Sequence, residues 1–346
     1  MLYQQHTQDE LIAEIHRLHQ EITTLQQENS DLEIRLETIL EHSTEVENAL
    51  EDKHREIQGY TDALRLEMEA GRRMQTDLLP QALPDVAGWE ITTSFQPAFD
   101  VAGDFYDVFT LSQDQVVLVI ADVSGKGVGA ALFMSLMLSL IRMLAYQAST
   151  RLLHLGINAE RYFVQLPRDN APPLVLPAFT FEILNTVKLA NHYIATHYDR
   201  AGVFATLFFG VLDTQTGAMS YINAGHELPI HLGRDGTMDE LIPGGLPIGI
   251  LPDSPYDIYT IQLQPGDILM IYTDGILDAC NHAGEFFTKE RLLTLIKETR
   301  HRDALSAPMV LQLIHDAVQA YMAGAGSFDD MTMLAVRRLP MPCPVS

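Results

Sequence analysis

The feature that most constrains this chain is a proline-free stretch at its N-terminus, residues 1–79. Apolar residues recur there at alternating steps of four and three, from Leu11 and Ile15 to Leu36 and Ile39. Such spacing places one apolar seam along a helix, and in a coiled coil a partner helix buries that seam. The pattern predicts a long coiled-coil helix that ends before the first proline, because proline cannot continue the helical hydrogen-bond ladder.

One polar residue, Asn29, interrupts the apolar seam at an a position. A buried asparagine there lowers stability, but it pairs with its mate in a parallel dimer and fixes the register. We therefore favour a parallel homodimer through this helix, which also offers a surface to a regulatory protein. The residues leave one alternative open, a solitary amphipathic helix that folds back on the rest of the chain.

Composition and charge exclude several classes of protein. The chain carries 46 acidic and 22 basic residues, a net charge of −24, and 47% hydrophobic residues, which is enough for a packed core. Its negative charge disfavours nucleic acid and anionic membrane surfaces as partners. Two cysteines exclude a disulfide framework or a cysteine-rich zinc site. The longest apolar run, residues 130–141, is shorter than the roughly 20 residues of a membrane span, and no signal-peptide pattern occurs. We expect a cytoplasmic protein without a membrane span.

After the first proline the pattern becomes mixed, and we expect one domain over residues 80–340 followed by a tail, 341–346. Residues 146–178 contain four prolines and little periodicity, so they are predicted to form a long loop or irregular insert. Strands and helices do not alternate regularly, which favours the α+β class. The predicted strands are 116–121, 204–213, 219–223, 267–272 and 331–336, and the predicted helices are 128–145, 179–198, 289–299 and 304–322.

Four acidic clusters lie at the ends of predicted strands or in turns: residues 101–107 (VAGDFYD), 121–127 (ADVSGKG), 272–275 (YTDG) and 327–332 (SFDDMT). A single Asp-Gly is usually only a turn. Carboxylates that converge from distant segments repel one another unless a hard divalent cation neutralises them. Oxygen-only ligands favour Mg²⁺ or Mn²⁺, and a pair of such ions activates water and clamps a phosphoryl group. Spacing alone leaves the metal interpretation and the turn interpretation about equally open.

The order of five motifs, GDFYD, DVSGKG with a small-residue helix after it, NAGHELP, YTDG and FDDMT, resembles the bacterial SpoIIE/RsbU-type serine phosphatases. These belong to the metal-dependent protein phosphatase 2C superfamily. The similarity covers about residues 72–338 and includes the lead-in segment RMQTDLLP at 73–80. The resemblance implies an αββα sandwich, in which two antiparallel sheets are flanked by helices and the metals lie at one edge, here preceded by the long coiled-coil helix.

By motif matching, the resemblance implies that Asp104 and Asp122 are the catalytic carboxylates and bind two Mn²⁺ or Mg²⁺ ions. It further implies that Val123 offers its backbone carbonyl and that Asp274 and Asp329 complete the second ion's shell.

Asp107 and Asp330 are weaker candidates that would act through water or from behind the direct ligands, and the choice between Asp329 and Asp330 as the ligand stays open. Ala102 departs from the family pattern, which has a glycine there. His226 fits the family pattern, but a hydrogen-bonded turn explains it equally well, so we assign no general acid.

The implied reaction is hydrolysis of phosphoserine or phosphothreonine on a protein by metal-activated water. By analogy, the substrate is an anti-sigma-factor antagonist of the STAS type. The alternative is an inactive phosphatase-like scaffold on a coiled coil. A nucleotide-binding loop is disfavoured, because Lys126 is followed by Gly127 rather than by Ser or Thr. We also hypothesise that the coiled coil sets the orientation of the lead-in helix at 70–79 and thereby biases assembly of the metal site.

Overall fold

The computed structural model describes residues 2–112, 114–154, 163–166, 174–299, 305–326 and 328–340. The chain divides into two units, residues 1–67 and 68–346. Helix α1 (Leu2–Leu78) accounts for the described part of the first unit, and its last turns belong to the second. The prediction of one long helix that ends before Pro80 is confirmed. Its apolar seam is exposed on the single chain, with Leu25 57% and Leu36 60% accessible.

Two five-stranded antiparallel sheets form the centre of the second unit. The first has the strand order β1-β12-β11-β8-β9 and the second the order β10-β7-β6-β3-β2, and β4 pairs with β5 in a separate hairpin. The strands are β1 (Trp89–Gln96), β2 (Phe105–Ser112), β3 (Gln115–Val123), β4 (Phe163–Leu166), β5 (Leu174–Pro177), β6 (Ala205–Asp213), β7 (Ala218–Ala224), β8 (Ile230–Leu232), β9 (Met238–Glu240), β10 (Tyr259–Gln262), β11 (Ile268–Tyr272) and β12 (Met331–Arg338).

Helices cover the outer faces of both sheets. Helices α2 (Val128–His154) and α3 (Ala178–His197) pack on the second sheet, and α5 (Ala307–Met322), with α4 (Lys289–Thr299) beside it, packs on the first. Buried apolar residues fill three layers, one under each helix pair and one between the sheets. Strand β3 is buried on both faces, which explains why its sequence is a continuous apolar run. The predicted αββα sandwich is confirmed.

The prediction of a loop over 146–178 is wrong at its start, where α2 continues to His154. Neither proline nor glycine occurs between Ala145 and Gly156, and packing contacts extend the helix. Tyr146 lies against Phe109 with ring centroids 5.3 Å apart, and Ser149 is buried. Part of the predicted insert forms the β4–β5 hairpin. The remainder, 155–162 and 167–173, lies outside the described residues.

Within the described residues, one helix is long and apolar enough to cross a membrane by length and composition alone, over Val128–Thr150. It is part of α2, whose residues Met134, Met137 and Ile141 are buried in the core under the second sheet. Core helices of globular domains pass the same test. These contacts account for the apolar character of α2 as packing against the sheet.

Candidate metal centre

The four acidic motifs lie at the same end of the two sheets. Strand pairing places the motifs there, because Phe105 is opposite Ala121 in one sheet and Tyr272 is opposite Met333 in the other. The connecting backbones also touch. A Cβ added at Gly103 would lie 3.0 Å from the Val123 carbonyl oxygen. The motif around Asp104 therefore lies beside the one around Asp122.

Asp104 is buried, with 1% of its surface accessible, and two threonine hydroxyls hold it in place. Its Oδ2 accepts hydrogen bonds from Thr273 Oγ1 at 2.7 Å and from Thr332 Oγ1 at 2.5 Å. The Thr332 amide in turn donates to Thr273 Oγ1 at 3.0 Å. Burial raises the pKa of Asp104 well above its ordinary value, Asp122 raises it further, and the hydroxyls oppose the shift.

Asp122 and Asp274 share this electrostatic environment. Burial raises the pKa of Asp122 to about 7, and repulsion from Asp274, Asp329 and Asp330 adds to the shift, while a hydrogen bond with Asp104 opposes it. Burial raises the pKa of Asp274 to about 6, and repulsion from Asp329 is the next largest cause. The carboxylates therefore interact closely enough to disfavour one another's charged forms, a repulsion that a bound divalent cation would offset.

The neighbouring acids Asp329 and Asp330 have different contacts. Asp329 forms an ion pair with Lys126 Nζ at 2.9 Å. Asp330 instead fastens the loop before Asp104, since its Oδ1 accepts from the Ala98 amide at 2.8 Å and its Oδ2 from the Gly103 amide at 2.7 Å. Asp330 thus uses both of its carboxylate oxygens to hold backbone amides of that loop.

Asp107, the other weaker candidate, is buried and forms an ion pair with the partly exposed Arg142. Its two oxygens accept from Arg142 Nε and Nη2, both at 2.7 Å. Burial raises the pKa of Asp107, and Arg142 opposes the shift. Asp107 therefore links β2 to α2 through this ion pair.

Gln75, in the last turns of α1, lies next to the site. Its Nε2 donates to the Ala102 carbonyl at 2.6 Å, and its Oε1 accepts from the Ala102 amide at 2.9 Å. The Gln75 side chain is buried, so this pair of bonds fixes the residue two positions before Asp104. Sequence reasoning missed Gln75, Thr273 and Thr332 as site residues, although all three lie within the quoted motifs.

The residues fit a divalent cation by their chemistry. The donors are carboxylates and a backbone carbonyl, the ligands that Mg²⁺ and Mn²⁺ prefer. As placed, the described residues do not bring three or more acidic, histidine or cysteine side chains together as a complete ligand set. Mg²⁺ is commonly held by one or two carboxylates with water completing its shell, and the paired carboxylates Asp104 and Asp122 match that arrangement.

Gly275, in the YTDG motif, lies close to the backbone of the SFDDMT motif. A methyl group at Gly275 would overlap the Asp330 carbonyl. We expect Gly275→Ala to lower the free energy of unfolding by about 3 kcal/mol, because the clash is with backbone that β12 holds in place. Urea unfolding of the metal-free protein measures this. The matched control is Gly129→Ala, which has open space in α2 and should raise stability by up to about 1 kcal/mol. Equal midpoints for the two variants would contradict the contact.

His226 is buried beside the site and is expected to make the fold acid-sensitive. Its Nδ1 lies 2.8 Å from Thr206 Oγ1, and burial lowers its pKa to about 3, opposed by the Tyr272 backbone. The unfolded chain therefore binds the proton more readily below pH 6.5. This residue should lower the free energy of unfolding by up to about 1.4 kcal/mol for each pH unit below that value.

Urea unfolding between pH 7.5 and 5 tests this prediction as a difference between variants, because the raised pKa values of Asp122 and Asp274 act in the opposite direction. His226→Gln should show a smaller loss of stability with falling pH than the unmodified chain. His192→Gln, which changes an exposed histidine, is the matched control. An unchanged slope in His226→Gln would show that His226 titrates normally.

Comparison with known proteins defines first the class and then the family. The SiaA-PP2C domain of Pseudomonas aeruginosa superposes with a TM-score of 0.58 and 20% identity, covering 80% of this chain and 98% of that domain. The second unit therefore has the fold of a PP2C domain. A sequence profile described as Stage II sporulation protein E (SpoIIE) matches residues 112–339, more than half of the chain. The chain belongs to this SpoIIE family.

Two curated relatives extend the comparison. Protein IcfG of Synechocystis sp. is 40% identical over 274 residues, which cover 79% of this chain and 42% of that protein. Phosphoserine phosphatase RsbU of Bacillus subtilis is 27% identical over 287 residues, covering 83% of this chain and 74% of that protein. The chain thus spans less than half the length of IcfG and about three quarters of that of RsbU.

Proposed function

We propose that this chain is a metal-dependent protein serine/threonine phosphatase that removes phosphate from phosphoserine or phosphothreonine on a regulatory protein. The observation that carries the proposal is the close group of the buried Asp104 with the partly buried Asp122 and Asp274 at the edge of a PP2C-type fold. Membership of the SpoIIE family and the name of the relative RsbU, a phosphoserine phosphatase, support the reaction class.

The proposed ligands of two Mn²⁺ or Mg²⁺ ions are Asp104, Asp122, Asp274, Asp329 and the Val123 carbonyl. Ions bound there would lower the pKa of water and neutralise the phosphoryl oxygens. Thr273 and Thr332 orient Asp104 toward this role, because their hydroxyls fix one of its oxygens. Asp330 holds the Gly103 amide, and Gln75 holds Ala102 directly before it.

The substrate we propose is a phosphorylated anti-sigma-factor antagonist of the STAS type, in the cytoplasm. The support is an analogy with the SpoIIE/RsbU-type phosphatases, because this chain is similar to RsbU. We also propose that the coiled coil acts on the site through the last turns of α1. The bonds between Gln75 and Ala102 supply a direct path from that helix to the metal-binding loop.

Release of phosphate from phosphoserine peptides and from p-nitrophenyl phosphate tests the reaction. The full chain should release phosphate with Mn²⁺ or Mg²⁺ and stop when EDTA removes the metal. An absence of metal-dependent turnover with either ion and either substrate would support the inactive scaffold instead.

The exposed seam of α1 predicts a parallel dimer. Leu25→Arg places a charge in the seam, so the variant should be monomeric where the unmodified chain is a dimer. Analytical ultracentrifugation of the full chain measures this. Leu66→Arg, another exposed leucine of α1 that is not among the seam residues, is the matched control and should remain dimeric. A monomeric unmodified chain would favour the solitary helix.

A further inference from the structure

Two exposed phenylalanines lie at the acidic edge. The side chain of Phe99 is 51% accessible and that of Phe328 is 64% accessible. A scattered exposed apolar residue needs no explanation, but neighbouring exposed aromatics next to a site are typical of a contact surface. Each of the two lies in a segment that contributes to the site, since Asp330 holds the Ala98 amide and Phe328 directly precedes Asp329.

Lys126 joins the two phenylalanines. Its Nζ lies 6.0 Å from the centroid of the Phe99 ring and donates a hydrogen bond to the Phe328 carbonyl. The ion pair with Asp329 anchors the same ammonium. Gly125 and Gly127, with φ of 95° and 76°, form the turn that brings Lys126 to this position. Phe99, Lys126 and Phe328 together are called the aromatic rim below.

The position of the aromatic rim relates it to the substrate. Its three residues come from three segments that also carry Asp104, Asp122 and Asp329. A phosphoserine that reaches these carboxylates therefore brings its flanking residues next to the rim. The ammonium of Lys126 suits the phosphate charge, and the two rings suit apolar flanking side chains. Acidic flanking residues meet a chain of net charge −24 and are disfavoured.

We propose that the aromatic rim is a specificity determinant that selects phosphoserines flanked by apolar residues. The occupant is a segment of a phosphorylated protein, with its phosphate near Lys126 and its apolar neighbours against Phe99 and Phe328. This inference rests on the proposed phosphatase function and adds the kind of sequence that the site accepts.

Two phosphoserine peptides test the aromatic rim, one with two leucines on each side of the phosphoserine and one with glutamines at those four positions. The unmodified chain should have a kcat/KM about tenfold higher for the leucine peptide. In the double variant Phe99→Ala/Phe328→Ala that ratio should fall to about twofold or less. Because the ratio is taken within one variant, any general loss of activity cancels. Lys126→Met should lower kcat/KM about tenfold for both peptides, since it removes a charge contact with phosphate.

Met309→Ala is the matched control, because Met309 is 45% accessible and lies in the first turn of α5, where the Ala307 amide bonds to Glu90. Gln96, which pairs with Met331 next to the site, is at one end of β1, and Glu90 is at the other. Met309 is therefore remote from the site, and its variant should keep the tenfold preference. A ratio near one in the unmodified chain, or a tenfold ratio that persists in the double variant, would overturn the proposal.

Calorimetric binding of the same two peptides separates the aromatic rim from the reaction. If no phosphate is released but the leucine peptide binds about tenfold more tightly, the proposed reaction fails and the aromatic rim stands. If phosphate is released but the two peptides bind equally and turn over equally, the aromatic rim fails and the proposed reaction stands.

Discussion

Asp122→Asn should reduce metal-dependent phosphate release by about a hundred- to a thousandfold while making the metal-free chain more stable. Activity falls because the amide carries no charge to hold a divalent ion beside Asp104. Stability rises because the fold no longer places a charge next to Asp274, Asp329 and Asp330. Burial, together with repulsion from these three carboxylates, raises the pKa of Asp122 to about 7. The expected gain is about 2 kcal/mol at pH 8.

Initial rates with Mn²⁺ and thermal unfolding in EDTA measure the two effects on one preparation. Asp85→Asn is the matched control, because it removes an exposed carboxylate and should change neither quantity. A variant that keeps its activity would remove Asp122 from the proposed ligands. A variant that is less stable than the unmodified chain without metal would show that the carboxylates do not repel one another.

Gln75→Ala should lower activity by about ten- to a hundredfold and weaken metal binding, although Gln75 is not a proposed ligand. The substitution leaves the buried amide and carbonyl of Ala102 without their partners, at a cost of about 1–3 kcal/mol for each group. The loop can then move, and Asp104 follows two residues later. Mn²⁺ affinity by calorimetry and phosphate release together measure the effect.

Two further variants sharpen the test of Gln75. Gln75→Glu keeps the size and the acceptor but loses the donor to the Ala102 carbonyl, so it should also weaken metal binding. Gln81→Ala removes a side chain that bonds the Thr76 carbonyl at 3.0 Å, close in sequence but remote from Ala102, and should retain metal affinity. If Gln75→Ala binds Mn²⁺ as the unmodified chain does, α1 does not act on the site through this contact.

Much of the fold follows from local patterns in the sequence. The continuous apolar runs of β3, β6 and β11 predict buried strands, and the structure confirms them to within two residues at each end. Strand β1 was missed, because most of its residues are only partly buried and its sequence alternates weakly. Helix α2 was predicted too short, because the contact of Tyr146 with Phe109 joins residues distant in the chain.

In the candidate site, the acidic motifs can be predicted from the sequence, but the side chains that support them cannot. Aspartates beside glycines or in polar turns stand out in a sequence, so the four acidic motifs are recognisable from the sequence alone. The side chains that support them give no such signal. Thr273 and Thr332 bond to Asp104 across 169 and 228 residues of sequence, and Gln75 bonds to Ala102 across 27. The contrasting contacts of Asp329 and Asp330 likewise depend on partners that neighbouring sequence does not identify.

The strand order of the first sheet has a consequence for synthesis in the cell. Strand β12 lies between β1 and β11, so a nascent chain lacks the middle of this sheet until residues 331–338 have left the ribosome. Thr332 and the loop-fastening Asp330 arrive with the same segment. A prematurely terminated polypeptide would therefore lack the side chains that hold Asp104 and its loop in place, and with them the proposed activity.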